Sequence, residues 1–152
     1  MVRSDAWSGY LVTHGRDHSL RVWKMPDELG SVALSSSMAK NLPLPTMLHE
    51  MGVNALNYCA YDMCIRNEDT PTLDGWLVIP NTLESGWIDL YHVPSQQRII
   101  ESLGRQADIR SGRERPAIVM ALQICILRDI LWIVAGYEDG VLQAWTNPVT
   151  TM

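Results

Sequence analysis

The stretch Thr13–Trp23, "THGRDHSLRVW", packs two histidines, an aspartate and a serine into one short run beside two arginines. Two readings compete for it. His14, Asp17 and Ser19 resemble the parts of a hydrolytic triad, but the same residues also suit a β-hairpin turn followed by a strand. A triad needs a base oriented by a carboxylate and a nucleophile facing an oxyanion hole. Residues this close on one turn do not converge that way, and the chain has no G-x-S-x-G elbow. The hairpin reading fits better. "YLVT" is a short strand, the turn residues Asp17 and His18 tolerate special backbone angles, and "SLRVW" alternates with period two. On this reading Asp17 is a buried carboxylate that orders the turn. Arg21 alternates outward from Leu20 and Val22, either into solvent or over a neighbouring sheet.

The hairpin recurs. "DHSLRVW" (17–23) aligns without gaps with "SGWIDLY" (85–91) and "DGVLQAW" (139–145), and "LVTHGRD" aligns with "IVAGYED". Each copy opens on a small turn pair, alternates, and ends on Trp or Tyr. Apolar segments precede two copies, "VNALNYCAY" (53–61) and "IVMALQICIL" (118–127), and "RIIESL" (98–103) suits an outer strand. Four antiparallel strands per repeat make a propeller blade. The fold expected is therefore all-β: about three four-stranded antiparallel blades with the ring incomplete, in pieces near 1–48, 49–103 and 117–152. The repeats are spaced more widely than the ~40–45 residues of a plain blade. The excess falls in polar loops at 27–45, 65–75 and 104–116.

Composition narrows the function. The 152 residues carry a net charge of −5, with 47% hydrophobic and 19% charged residues. That balance argues against phosphate-backbone binding as the main task. "RQADIRSGRER" (105–115) is basic but lacks interleaved aromatics, so it reads as a loop and no direct nucleic-acid partner is expected. The three cysteines, Cys59, Cys64 and Cys125, are an odd number, and "CAYDMC" lacks the second ligand pair of a zinc site. No metal or other cofactor is expected. No apolar run is long enough to span a bilayer as a helix. Trp7, Trp76, Trp87 and Trp132 are expected to pack between blades; for Trp87, just after a Gly turn, an exposed contact anchor is the less favoured alternative.

These residues resemble the WD-repeat family. There the third strand ends on Trp, an Asp lies six positions earlier, a Ser or Thr ten earlier, and a His opens the blade. Thr13, Asp17, Trp23, His49, Asp139 and Trp145 occupy such positions, and Tyr91 stands where the second Trp would be. Departures are plain: Ser85 and Asn81 replace Asp and Ser/Thr in the second copy, and Ala135 replaces Ser/Thr in the third. The runs "THGRD", "VNALNYCA" and "AGYEDG" are more specific. They resemble the ASTRA-associated WD-repeat family of fungi, whose animal members are called G-protein β-subunit-like proteins.

The resemblance implies a non-catalytic scaffold subunit, nuclear and also cytoplasmic, in an ASTRA-type complex linked to chromatin remodelling. The partners it implies are kinase cochaperone subunits, RuvB-like ATPases and a phosphatidylinositol-3-kinase-like protein. It also implies that Asp, His, Ser/Thr and Trp of one blade hydrogen-bond together. Full-length members of the family are longer, so the chain is expected to be a piece of a larger propeller. The alternative is a reader of a peptide or modified histone, or an adaptor in another complex.

Overall fold

The computed structural model describes residues 9–26, 44–53, 61–66, 73–93, 95–105 and 117–149. They form three antiparallel sheets. The first is β1 (Tyr10–His14), β2 (Ser19–Lys24) and β3 (Thr46–Gly52), in that order. The second is β4 (Asp62–Ile65), β5 (Gly75–Pro80), β6 (Ile88–Val93) and β7 (Gln97–Leu103). The third is β8 (Val119–Leu127), β9 (Ile130–Tyr137) and β10 (Leu142–Pro148). Each sheet meanders in chain order and none closes on itself, which fits a partial propeller.

The turns explain the hairpins. His18 sits at φ 62°, where the β1–β2 chain reverses. The β9–β10 turn closes with Gly140 N–H on the Tyr137 carbonyl and Tyr137 N–H on the Val141 carbonyl. Gly140 takes φ 82°, the left-handed residue of a three-residue hairpin loop. β8 and β9 join through Arg128 and Asp129, both left-handed at φ 53° and 60°. Two positive φ values in a two-residue loop are the mirror-image turn that matches strand twist. "RD" lacks the Asn-Gly signature usual there, so nothing local in the sequence announced it.

The sheets stack face to face. Val12, Leu20 and Val22 of the first meet Met63, Leu77, Ile79 and Val93 of the second. The opposite face of the second, Trp76, Val78, Ile88 and Leu90, meets Val119, Ile124, Leu131, Ile133 and Ala135 of the third. β5 is buried at all six positions because both its faces are covered. Its sequence "GWLVIP" is accordingly a continuous apolar run rather than an alternating one.

Adjacent residues tie the stack together. Tyr61 donates its hydroxyl to the Val12 carbonyl at 2.9 Å, on the inner edge of the first sheet. Asp62 opens β4, lies buried on the face toward the third sheet, and accepts Ile124 N–H at 2.8 Å and Gln123 Nε2 at 3.1 Å.

Several expectations need adjustment. Four strands are present only in the second sheet, and the first and third have three each among the described residues. The 48/49 boundary falls inside β3, which pairs with β2 and belongs to the first sheet through Gly52. Most of the "VNALNYCAY" segment lies outside the described residues, and the inner strand seen is "DMCI". Ile65 and Gly75 belong to paired strands rather than a loop. The cores of the three loops, 27–43, 67–72 and 106–116, also lie outside the described residues. Trp132 points away from the core, since it pairs with Thr146 and Cys125 on the outer face of the third sheet.

Asp62 is expected to be among the costliest polar residues to truncate. Asp62→Ala leaves the buried Ile124 N–H without its acceptor, a loss of about 2–3 kcal/mol in urea unfolding. Gln123→Ala, which removes only the exposed partner, should cost well under half of that.

Candidate functional site

In the first sheet, Trp23 is the penultimate residue of β2 and donates its indole N–H to Thr13 Oγ1 at 2.9 Å. The two residues lie ten apart in sequence and on one sheet face, because Leu11 pairs with Trp23 and Thr13 with Arg21. Asp17 differs from the buried carboxylate expected: its side chain is 52% exposed and binds Arg21 at 2.7 Å. Arg21 also reaches Glu50 of β3 at 2.8 Å. Arg21 is thus neither solvated freely nor laid over another sheet, because the β2–β3 register puts Glu50 directly opposite it. The hydrogen bond from Arg21, with help from the Ser19 amide, holds the Asp17 carboxyl below its ordinary range. His49 lies within β3 opposite Val22, rather than at the opening of the second sheet.

His14 and Ser19 do not join Asp17 in a catalytic arrangement. His14 ends β1 with its ring edge-on to Tyr61, centroids 6.2 Å apart. Its Nε2 is buried and has no partner among the described residues. Burial pushes the His14 pKa down.

The second sheet builds its tie differently. Asn81, at the Ser/Thr position, donates Nδ2 to Asp89 at 3.0 and 3.1 Å. Its Oδ1 accepts the Leu83 and Glu84 amides and so shapes the β5–β6 turn. Asp89 is wholly buried and also accepts the Ser102 N–H of β7 at 2.9 Å. The carboxylate has therefore moved from the turn, where Ser85 now stands, onto the strand. Tyr91, two residues on, lies half-buried on the same face, and burial pushes its hydroxyl pKa up.

In the third sheet Asp139 accepts the Val141 N–H at 3.1 Å, a local turn bond. Trp145 packs against the core between the second and third sheets. Ala135 offers no hydroxyl, and among the described residues no acceptor meets the Trp145 indole. Sequence reasoning missed Tyr61, Asp62 and Asp89. The only available signal was a carboxylate set among apolar residues in "AYDMC" and "WIDLY".

One Asp–His–Ser chain does exist, elsewhere. His92 Nε2 lies 2.9 Å from Asp74 Oδ1, and its Nδ1 lies 2.8 Å from Ser95 Oγ. Ser95 is exposed, and its Oγ also takes the Gln97 N–H at 3.3 Å. A nucleophile needs aligned oxyanion donors in a water-excluded pocket. An exposed hydroxyl already engaged in its own turn serves instead to pin the β6–β7 turn to the start of β5. Among the described residues, no cluster of His, Cys, Asp or Glu side chains is placed to hold a metal. Cys59 falls outside the described residues. Cys64 and Cys125 are free thiols, and burial pushes Cys64 up to about 12, which leaves it protonated and unreactive. Trp87, for which the sequence favours packing over an exposed anchor, is partly buried and carries the Arg105 guanidinium 5.1 Å from its ring centroid.

Comparison with known proteins places this geometry in context. The chain is 36% identical over 148 residues to ASTRA-associated protein 1 of Verticillium alfalfae, covering 88% of this chain and 33% of the relative. It is 32% identical over 137 residues to ASTRA-associated protein 1 of Pyricularia oryzae, covering 86% and 28%. A more distant similarity, 29% over 154 residues, links it to Histone transcription regulator slm9 of Schizosaccharomyces pombe, covering 88% and 19%. The chain thus spans about a third of the length of the first two. No protein-family model matches the chain, and no solved structure matches it.

Two predictions follow from these ties. Thr13→Val should cost about 1 kcal/mol, one partly buried neutral hydrogen bond. Asp89→Ala should cost about 2–3 kcal/mol, because it strands both Asn81 Nδ2 and the Ser102 amide; urea midpoints compare the two. The His14 imidazole supplies a pH signature. Its folded pKa lies below the unfolded value of 6.5. The unfolded chain therefore binds the proton first, and His14's contribution is complete above pH 6.5 and lost as the pH falls toward the folded value. Urea midpoints between pH 7.5 and pH 5 should fall in the parent chain, and fall less in His14→Phe.

Proposed function

We propose that this chain acts as a non-catalytic scaffold of the WD-repeat type within an ASTRA-type assembly. The observation that carries the reading is similarity to ASTRA-associated protein 1 from several fungi, which reaches across nearly the whole chain. The structure is compatible with it. Asp17, Asn81, Asp89 and Asp62 serve turns, sheet ties and an inter-sheet bond, and the Asp–His–Ser chain is a turn brace. The work of such a subunit is protein docking in the service of chromatin remodelling, in the nucleus and also in the cytoplasm. Its proposed partners are kinase cochaperone subunits, RuvB-like ATPases and a phosphatidylinositol-3-kinase-like protein.

The similarity to a protein named as a histone transcription regulator favours one second reading, recognition of a histone peptide. A methyl-lysine reader needs an open aromatic cage. Trp87 is already covered by Arg105, and Trp76 is buried with Arg66 5.6 Å from its centroid. The scaffold reading is the better supported.

Affinity purification of the tagged chain from its native cells, followed by mass spectrometry, tests this. RuvB-like ATPases and kinase cochaperone subunits should co-purify. Their consistent absence, with the bait soluble and recovered, would overturn the assignment. Recovery of histones alone would favour the second reading.

A further inference from the structure

The sequence contains two Asp–Gly steps, Asp74–Gly75 and Asp139–Gly140, and no Asn–Gly step. Aspartate followed by glycine is the pair best suited to one spontaneous reaction. The glycine main-chain nitrogen gives its proton to water and bonds to the aspartate Cγ. One carboxyl oxygen leaves as water, and a five-membered succinimide closes. Glycine favours this because no side chain stands beside the attacking nitrogen. Water then opens the ring. Attack at Cγ restores aspartate. Attack at the main-chain carbonyl carbon breaks its bond to the glycine nitrogen, and the chain then runs through the side chain as isoaspartate. Neither route needs a reagent other than water.

The fold treats the two steps in opposite ways. Gly75 opens β5, is buried, and is paired on both sides, with Ile65 of β4 and Val93 of β6. The Asp74 carbonyl accepts the Arg66 N–H at 2.9 Å, and the Asp74 carboxylate lies 2.9 Å from His92 Nε2. The Gly75 backbone packs so closely on the Cys64 carbonyl that a Cβ would run into it. Bringing the Gly75 nitrogen onto Asp74 Cγ therefore means parting β5 from both neighbours.

Asp139–Gly140 lies at the tip of the β9–β10 turn, where Glu138, Asp139 and Gly140 are exposed. The space around Gly140 is open, since a Cβ there would meet no atom within 4 Å. The bonds that close the turn are local: Gly140 N–H to the Tyr137 carbonyl at 3.0 Å, and Val141 N–H to Asp139 Oδ1 at 3.1 Å. The second holds the carboxylate over the main chain that follows it. Releasing the first frees the attacking nitrogen and leaves the β9–β10 ladder in place from Gly136 and Leu142 onward. Local opening of a turn tip costs far less than opening a buried central strand.

We propose that Asp139 is the site of spontaneous isoaspartate formation in this chain, and that the fold protects Asp74. The product adds a methylene to the main chain between Tyr137 and Val141. Tyr137 N–H bonds to the Val141 carbonyl at 2.9 Å across that loop, and this is the pair that the added length disrupts. The freed α-carboxylate makes residue 139 a substrate for a carboxyl methyltransferase with a sulfonium methyl donor. The inference stands on turn chemistry and is independent of the assembly proposed above.

The test ages the full chain near neutral pH for several weeks, folded in one arm and unfolded in guanidinium chloride in the other. Isoaspartate is then located by labelling with an isoaspartate-specific methyltransferase and by tandem mass spectrometry of the digest. In the folded arm, label at residue 139 should exceed label at residue 74 by about tenfold or more. In guanidinium chloride the two should agree within about twofold. Comparable labelling of both sites in the folded arm, or none at 139, would overturn the proposal. So would an excess at 139 that persists undiminished in guanidinium chloride, because sequence rather than fold would then set it. Asp139→Glu, which would have to close a larger ring, should lose the label at 139. In the aged form separated by chromatography, exchange of the Tyr137 amide should quicken by about tenfold; unchanged exchange would sink the proposed effect on the hairpin.

Discussion

A buried carboxylate on the second sheet, Asp62, reaches a backbone amide on the third and fixes how these two sheets stand. Its acceptor site for Ile124 N–H is placed by strand register: Asp62 pairs with Val78, and so shares the face that meets Val119, Ile124 and Leu131. Hydrophobic contact alone does not specify how two sheets slide on each other, because apolar burial is non-directional. A hydrogen bond to one named amide does. Tyr61, the preceding residue, places the first sheet in the same way through the Val12 carbonyl. Two adjacent residues therefore set both interfaces of the stack. An inner-edge carbonyl of β1 and an amide of β8, both out of reach of their own sheets' ladders, find acceptable partners in them.

Within each sheet a second kind of tie joins neighbouring strands, and its chemistry changes from sheet to sheet. The first uses an indole and a hydroxyl, with an exposed Asp17–Arg21–Glu50 run beside them. The second uses an amide and a fully buried carboxylate, extended to β7 through the Ser102 amide. In the third, Asp139 accepts the Val141 amide within the turn, Glu138 accepts the Ile118 amide, and Trp145 contributes through packing. The mechanical requirement is common: hold the third strand to its hairpin partner, and in the second sheet to the strand beyond. Several polar combinations meet it, so divergence at these positions does not imply loss of the sheet.

This bears on what the amino-acid sequence discloses. The three hairpins were legible because their signals are local: period-two alternation, Asp, Gly and His at the reversals, and an aromatic at the strand end. The outer strand at Gln97–Leu103 and the inner one at Val119–Leu127 were legible for the same reason. His49 was not. Its spacing to Val53 suits the opening of a repeat, but only the pairing with Val22 shows that β3 belongs to the first sheet. Asp17 looked buried because Asp at that place is structural in the family resembled. Arg21 and Glu50, opposite each other only after register is set, draw it to the surface instead. Asp62 and Asp89 were illegible because a lone carboxylate in an apolar strand acquires its meaning from a partner on another strand or another sheet.

The stack also determines where function can reside. The second sheet has both faces covered, and β5 at its centre has no exposed residue. The first and third sheets each have one face covered by the second sheet and one that no other described sheet covers. The outer face of the first is polar around Asp17, Arg21 and Glu50. The outer face of the third carries Leu127, 57% exposed, and Leu142, 76% exposed, toward its two ends, with the half-buried Trp132 between them in register. A charged surface and an apolar one on opposite ends of one rigid stack suit different contacts, the first weak and salt-sensitive, the second driven by burial. Of the side chains that first suggested chemistry, Asp17 is tied to Arg21, and His14 lies edge-on to Tyr61.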